Sequence, residues 1–295
     1  MGVVSVFTEN RIKWPNLIVF TVVMFSGLYG FTLVPQVKAL TLIWVFVCAF
    51  GGALGVTAGV HRLWTHRAYK ARLPLKIFLA ILNTLSLQTS ILSWSINHRA
   101  HHKYSETDAD PHNSKRGFFF SHVGWFLIKE HPAVLEKRKT IDASDLLNDE
   151  VVMFQYRYYV QLIILVGLLF PIAVPTLLWG ESFSYSFFLC MARFFHQMNC
   201  MSMVNSVAHL WGKRPFEKDI GPADNPLTAF LTIGEGYHNF HHVFPHDYRA
   251  SESGVYFNPS TVFIDLMAKL GLAYDLRVMS KQVLERRRLR NDLKL

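Results

Sequence analysis

Nine of the chain's fourteen histidines fall within a few turns. They read His61-Arg-Leu-Trp-Thr-His66, His98-Arg-Ala-His101-His102 and His238-Asn-Phe-His241-His242, with His209 alone between the second and third groups. Imidazole is the commonest side-chain metal ligand near neutral pH. In the two His-x-x-His-His groups the spacings i, i+3 and i+4 put all three rings on one face of a helix. The first group is spaced by five, about 140° apart on a helix of ~3.6 residues per turn, so His61 and His66 are expected to straddle a helix end. A tetrahedral zinc ion takes four ligands and would leave the other imidazoles unused. Imidazole also suits iron, and two irons with four or five ligands each use the whole set. Such a pair can activate dioxygen for attack on an unactivated C–H bond. The isolated His112, His122, His131, His196 and His246 are read as structural.

The groups lie far apart in sequence, so the fold must bring them together. The chain has 295 residues, 51% hydrophobic and 14% aromatic, above the apolar share usual in soluble domains. The excess sits in blocks at residues 16–34, 40–59, 161–179 and 183–207, the last interrupted by Arg193 and His196. At ~1.5 Å per residue each block can cross a ~30 Å hydrocarbon core. The first run is too long for a cleavable signal peptide and has no small-residue cleavage site. An integral membrane protein in a lipid bilayer is expected, all-α, with four transmembrane helices in two hairpins. The active site then lies at the membrane boundary beside apolar spans, which implies an acyl or alkyl substrate.

Charge placement orients these spans. Basic residues crowd the segment between the second and third blocks (Arg99, Lys103, Lys115, Arg116, Lys129, Lys137, Arg138, Lys139) and the tail, whereas the short turns hold little beyond Lys38. The formal charge of +9 therefore follows topology and is not a nucleic-acid signal. The positive-inside rule puts both termini and all three histidine groups in the cytosol. Cys48, Cys190 and Cys200 fall inside apolar blocks and read as buried packing thiols.

Along the chain, Gly51, Gly55 and Gly59 recur every four residues in the second block and permit close helix approach. Residues 75–94 are apolar but striped with Asn83, Thr84, Ser86, Gln88 and Ser90, a helix expected to lie along the membrane surface. Phe118-Phe119-Phe120 is suited to dip against the bilayer, and Pro171 and Pro175 are expected to kink or end the third span. Asn205 and His209 are four apart and share a helix face. No internal repeat or second domain is evident, so residues 1–295 are taken as one domain, with its cytosolic part from 61–155 and 208–295.

The stretches HRLWTHRAYK (61–70), HRAHHKYSETDADPHNSKRGFFFSHVGW (98–125), NSVAHLWG (205–212) and GEGYHNFHHVFPHDYRASE (234–252) resemble the animal acyl-CoA desaturases, the stearoyl-CoA desaturase family. The resemblance covers nearly the whole chain apart from the N-terminal extension many members carry. It implies a four-span, mushroom-shaped fold whose helical cytosolic cap holds a di-iron centre in the endoplasmic reticulum membrane. It also implies His61, His66, His98, His101, His102, His209, His238, His241 and His242 as ligands, with Asn205 approaching one iron through a water. Electrons would come from NADH through cytochrome b5 reductase and cytochrome b5. A long saturated acyl-CoA would lie in a bent tunnel and react with O2 to give a cis double bond.

Departures from the family pattern cluster at the expected headgroup site. Trp94-Ser95-Ile96-Asn97 stands where Trp-Ala-Arg-Asp is usual, so Ile96 and Asn97 replace an arginine and an aspartate expected to hold CoA. Thr89 replaces an asparagine, Lys129-Glu130 replaces Arg-Lys, and Ser202 replaces a tryptophan, whereas Asn16 and Trp94 match. A lost charge-assisted contact typically costs ~1.5–3 kcal/mol, so a weakened grip on CoA is expected. A related di-iron hydroxylase, a desaturase of another acyl carrier, or a non-catalytic metal- or lipid-binding member are the alternative readings.

Overall fold

A computed structural model describes residues 12–252 and 257–294. Residues 1–11 and 295, and with them the two ends expected in the cytosol, lie outside the described residues. The elements that position the site are α1 (Trp14–Thr32), α2 (Ala39–Thr65), α3 (Leu73–Leu85), α4 (Ile91–Tyr104), α5 (Glu150–Arg157), α6 (Tyr159–Trp179), α7 (Phe183–Asn205), α8 (His238–Val243) and α9 (Pro259–Lys269). Among the described residues, strand is confined to Lys70–Ala71 paired antiparallel with Ala273–Tyr274, Ala71 opposite Ala273.

Among the described residues, three helices, α1, α2 and α6, are long and apolar enough to cross a membrane. The fourth block forms α7, 23 residues long, but Arg193, His196, Gln197 and Asn199 dilute its hydropathy. Its polar side is turned inward: Arg193 and Gln197 are buried. α7 packs along α1, where a Cβ on Gly30 would overlap the Phe188 carbonyl. The turns of the two hairpins are tied together. Glu181 Oε2 accepts from the Lys38 amide at 2.9 Å and from Thr41 Oγ1 at 2.7 Å, and Lys38 Nζ donates to the Trp179 and Gly180 carbonyls.

The helix of the second apolar block continues beyond residue 59 through His61. Ala39–Leu54 is α-helical and Gly55–Thr65 continues as a π-helix. Gly55, Val56, Thr57, Gly59 and Val60 are weak α-formers, and the wider turn is stabilised locally. Thr65 Oγ1 donates to the Val60 carbonyl at 2.7 Å, and the His66 amide to the His61 carbonyl at 3.1 Å. α6 widens in the same way at Ile163–Leu169, just ahead of Pro171, which has no N–H to give. It then runs through Pro175 to Trp179 and ends at Gly180, whose φ is +63°.

Residues 75–94 are not one helix. They break at residues 86–90 into α3 and α4, with Ser90 capping α4 by accepting from the Ser93 amide at 3.2 Å. The polar stripe also faces the other way from expectation. Asn83, Thr84 and Ser86 are buried, whereas Leu73, Ile77, Phe78 and Ile81 are exposed, an inward-polar arrangement suited to an apolar surround. Phe120 is buried while Phe118 is exposed. All three cysteines are free and buried, as expected.

The glycines of α2 are not equivalent. A Cβ on Gly55 would overlap the backbone of Leu82 and Asn83, whereas one on Gly59 would meet Leu79 Cβ and a Trp64 ring carbon at an ordinary 3.4 Å. Overpacking typically costs ~1–3 kcal/mol. Gly55→Ala should therefore lower the melting temperature of the detergent-solubilised protein by several degrees, and Gly59→Ala should leave it nearly unchanged. Tryptophan fluorescence on heating measures both, and equal melting temperatures would count against an α2–α3 backbone contact.

Candidate metal centre

The nine histidines meet in two groups. His61, His66, His98, His102 and His241 form one, and His101, His209, His238 and His242 the other, each with ring nitrogens within 4.8 Å of one another. The division follows helix geometry. Positions i and i+4 are offset by about 40° around an α-helix, whereas i+3 lies about 100° from i+4. On α4 the i, i+4 pair His98/His102 serves the five-ring group and His101 the four-ring group. On α8 the pair His238/His242 serves the four-ring group and His241 crosses to the other. The groups adjoin where His102 and His242 stack, 4.0 Å apart and 13° from parallel.

His61 and His66 straddle the end of α2, as expected, His61 in its last turn and His66 just beyond it, and they reach the same group because that end is π-helical. An i→i+5 turn brings residues five apart onto one side, and their ring centroids are 4.9 Å apart. His209 arrives from the short helix after α7, its Nε2 3.1 Å from His238 Nε2.

Buried carboxylates hold the outer edges of the rings. His61 Nδ1 lies 2.8 Å from Glu235 Oε2, and His101 Nδ1 lies 2.8 Å from Asp110 Oδ1. Burial by itself would raise the Glu235 carboxyl, but the Arg62 guanidinium and His61 outweigh it and hold the group at about 2. Burial likewise opposes ionisation of Asp110, and His101 overrides it and keeps the carboxyl below its usual range. A carboxylate at Nδ1 keeps the ring proton there, leaving Nε2 as a bare lone pair. Yet His61 Nε2 faces His241 Nε2 at 2.9 Å, and His241 Nε2 faces His102 Nε2 at 3.0 Å. His66 Nε2 and His101 Nε2 are buried with no hydrogen-bond partner. Burial first, then crowding by neighbouring imidazoles, pushes His66, His98, His102, His238, His241 and His242 well below their usual pKa. Convergent ring nitrogens, with His66 Nε2 unsatisfied in one group and His101 Nε2 in the other, fit a cation in each group.

A cavity of about 360 Å³ reaches this centre, with His61, His98, His238 and Glu235 in its wall. Much of the remaining wall is apolar, including Val19, Val56, Phe194 and Met198. Of the residues expected to touch substrate, Thr89, Trp94, Asn97 and Ser202 line it, as does Asn205. Ile96 does not; it packs against the apolar core. Asn16 acts from behind the wall, donating to the Phe126 carbonyl at 2.7 Å, and Lys129 is exposed at the surface.

Two of the isolated histidines border the cavity. His112 and His122 line the cavity, His112 edge-on to Trp125 at 4.4 Å and His122 within 2.9 Å of Ser206 Oγ. His246 Nδ1 donates to the His66 carbonyl at 2.8 Å, and His131 caps Pro132–Arg138, both structural roles. Glu235, Asp110 and Arg62 escaped the sequence reading. The available signal was an acid or base beside each histidine group, in positions that could equally have been solvated.

The fatty acid desaturase family profile matches residues 38–252, which contain all nine histidines. The chain is 50% identical over 283 residues to stearoyl-CoA desaturase 5 of Homo sapiens, covering 96% of this chain and 86% of that protein. It is 53% identical over 269 residues to an acyl-CoA desaturase of Ovis aries, covering 91% and 75%. The stearoyl-CoA desaturase of Capra hircus is 52% identical over the same shares of the two chains.

Outer carboxylates that orient ligating imidazoles are typically worth about 10- to 100-fold in metal affinity. Glu235→Gln and Asp110→Asn should each accelerate metal loss to a chelator by that order, whereas His131→Ala should match wild type. Metal per chain after timed chelation, by elemental analysis, is the measurement. Retention unchanged in both carboxylate variants would separate these acids from the histidine groups.

Proposed function

The chain belongs to the fatty acid desaturase family and is an acyl-CoA desaturase, and from that premise we propose that it places a cis double bond in a long saturated acyl-CoA. The proposed co-reactants are O2 and electrons passed from NADH through cytochrome b5 reductase and cytochrome b5. The observation that carries the reading is a largely apolar cavity whose wall includes ring edges of both histidine groups, His61 and His98 of one and His238 of the other. A chain lying there has its carbons beside the candidate metal sites and water excluded from them.

In this reading His61, His66, His98, His102 and His241 hold one iron, and His101, His209, His238 and His242 the other, with Asn205 near enough to the cavity to order a water. Bound iron supplies the dioxygen activation that removal of hydrogen from a saturated carbon requires. The protein's own residues supply position. Trp94 stacks on His98 at 4.7 Å and donates from Nε1 to Gln88 Oε1 at 2.8 Å, which fixes a rigid wall beside the metal ligand. The headgroup end is assigned to Thr89 and Asn97, neither of them charged, so attraction for the CoA phosphates falls to cations elsewhere, such as Lys129.

The same reading makes α7 the fourth span and places the histidine groups in a cytosolic cap at the endoplasmic reticulum membrane. It is supported by the tie between the hairpin turns at Lys38 and Glu181 and by the basic residues at the opposite end. A surface cleft of about 570 Å³ beside His242 is lined by Arg286 and Arg290, and by Arg287 paired with Glu217, a surface suited to an acidic electron carrier.

Expression in yeast lacking its own desaturase should restore growth without added unsaturated fatty acid, and mapping the double bonds names the product. The purified protein should carry about two irons, one for each histidine group. His101→Ala should abolish activity while still inserting in membranes. An active preparation holding a single zinc and no iron would overturn the di-iron assignment. For topology, glycosylation acceptors at Lys38 or Gly180 should be modified in the lumen and one at Asp142 should not; modification at Asp142 would invert the arrangement.

A further inference from the structure

A cavity that holds an alkyl chain discriminates by the shape of its wall, and one part of this wall is strained. Leu87, in the break between α3 and α4, has φ of +58°. That left-handed conformation is unfavourable for a leucine and is usually filled by Gly or Asn. Such strain persists where neighbours over-determine it, and it clusters at functional sites.

Here the neighbours come from three helices. Buried Arg193 of α7 donates from Nη1 to the Leu85 carbonyl at 2.7 Å and from Nη2 to the Gly167 carbonyl of α6 at 3.1 Å. The Tyr159 hydroxyl of α6 donates to the Gln88 carbonyl. Gln155 Oε1 of α5 accepts from the Ile91 amide at 3.0 Å. The break is thus held at both ends and in its middle. Leu87 sits directly on Gly167: a Cβ added there would overlap Leu87 Cδ2 and stand 3.2 Å from its Cγ. Leu87 lines the cavity and Gly167 does not, so the leucine stands between α6 and the space for the chain.

We propose that Leu87, seated on Gly167, is a specificity-determining wall of the acyl cavity, setting which chain length is preferred and which carbon pair meets the histidine groups. The proposal rests on the acyl-chain reading of that cavity. The missing side chain at Gly167 gives the leucine its seat, and Arg193 holds the seat and the loop together. A residue at position 167 that fills the seat drives Leu87 toward the chain.

The test is internal competition between two saturated acyl-CoAs of different length in one reaction, with double bonds mapped in both products. The product ratio does not depend on how much of each variant folds. Leu87→Ala should shift the ratio toward the longer chain and Gly167→Ala toward the shorter, each by about tenfold, the low end for one methylene in an apolar pocket. The double variant should follow Leu87→Ala. Should Gly167→Ala yield no folded enzyme, the Leu87→Ala ratio must still move by that factor. Met198→Ala, on the α7 wall of the cavity, monitors the acyl-chain reading itself. A shifted ratio for Met198→Ala with none for the Leu87 and Gly167 variants overturns the inference and leaves that reading standing. No shift in any of them removes the reading and the inference together.

Discussion

The buried pairing of Arg62 with Glu235 is the contact on which the construction of the candidate metal centre depends. Arg62 is 1% exposed, and its guanidinium donates to Glu235 Oε1 from Nε at 3.1 Å and from Nη2 at 2.8 Å. It also reaches the Tyr248 carbonyl and Thr261 Oγ1. A guanidinium this deep is tolerable only when paired and hydrogen-bonded, and removal of either partner leaves an uncompensated buried charge. Glu235 spends its other oxygen beside His61. One ion pair therefore fastens the π-helical end of α2 to the turn before α8 and to the first turn of α9.

Around that fastening, ordinary helix geometry distributes the ligands. Two His-x-x-His-His groups on different helices exchange their i+3 residues, so each helix contributes to both sites and neither site can form without both helices. The π-helix solves the remaining problem, since five-residue spacing on an α-helix would have turned His61 and His66 away from each other. Glycine and β-branched residues make that wider turn accessible, and Thr65 caps it from within.

The apolar helices and the histidine groups are coupled through the same elements. α2 carries an apolar surface at one end and His61 at the other, with His66 just beyond it. The break between α3 and α4 carries cavity wall on one side and leads on the other into His98. Polar residues such as Arg193 and Gln197 are turned inward, because an apolar surround gives them no partner. For Arg193 the cost of burial is offset by the Leu85 and Gly167 carbonyls, which the helix break and the π-turn leave open.

The helical class, the apolar blocks, the three buried thiols and the identity of the nine clustered histidines were all legible in the sequence, because each depends on local residue type and spacing. His-x-x-His-His on a helix shares a face whatever surrounds it. The partition of the histidines into five and four was not legible, since it depends on how α4 and α8 face each other across more than a hundred residues. Nor was the π-turn that brings His61 and His66 together, because residue spacing alone does not distinguish an i→i+5 turn from an α-turn. Asp110, Glu235 and Arg62 read locally as a turn acid, a loop acid and a flanking base. Burial converts them into charged supports, and burial is a property of the assembled chain. Leu87 carries no local sign at all: its left-handed backbone and its seat on Gly167 arise only because three distant helices close on one loop.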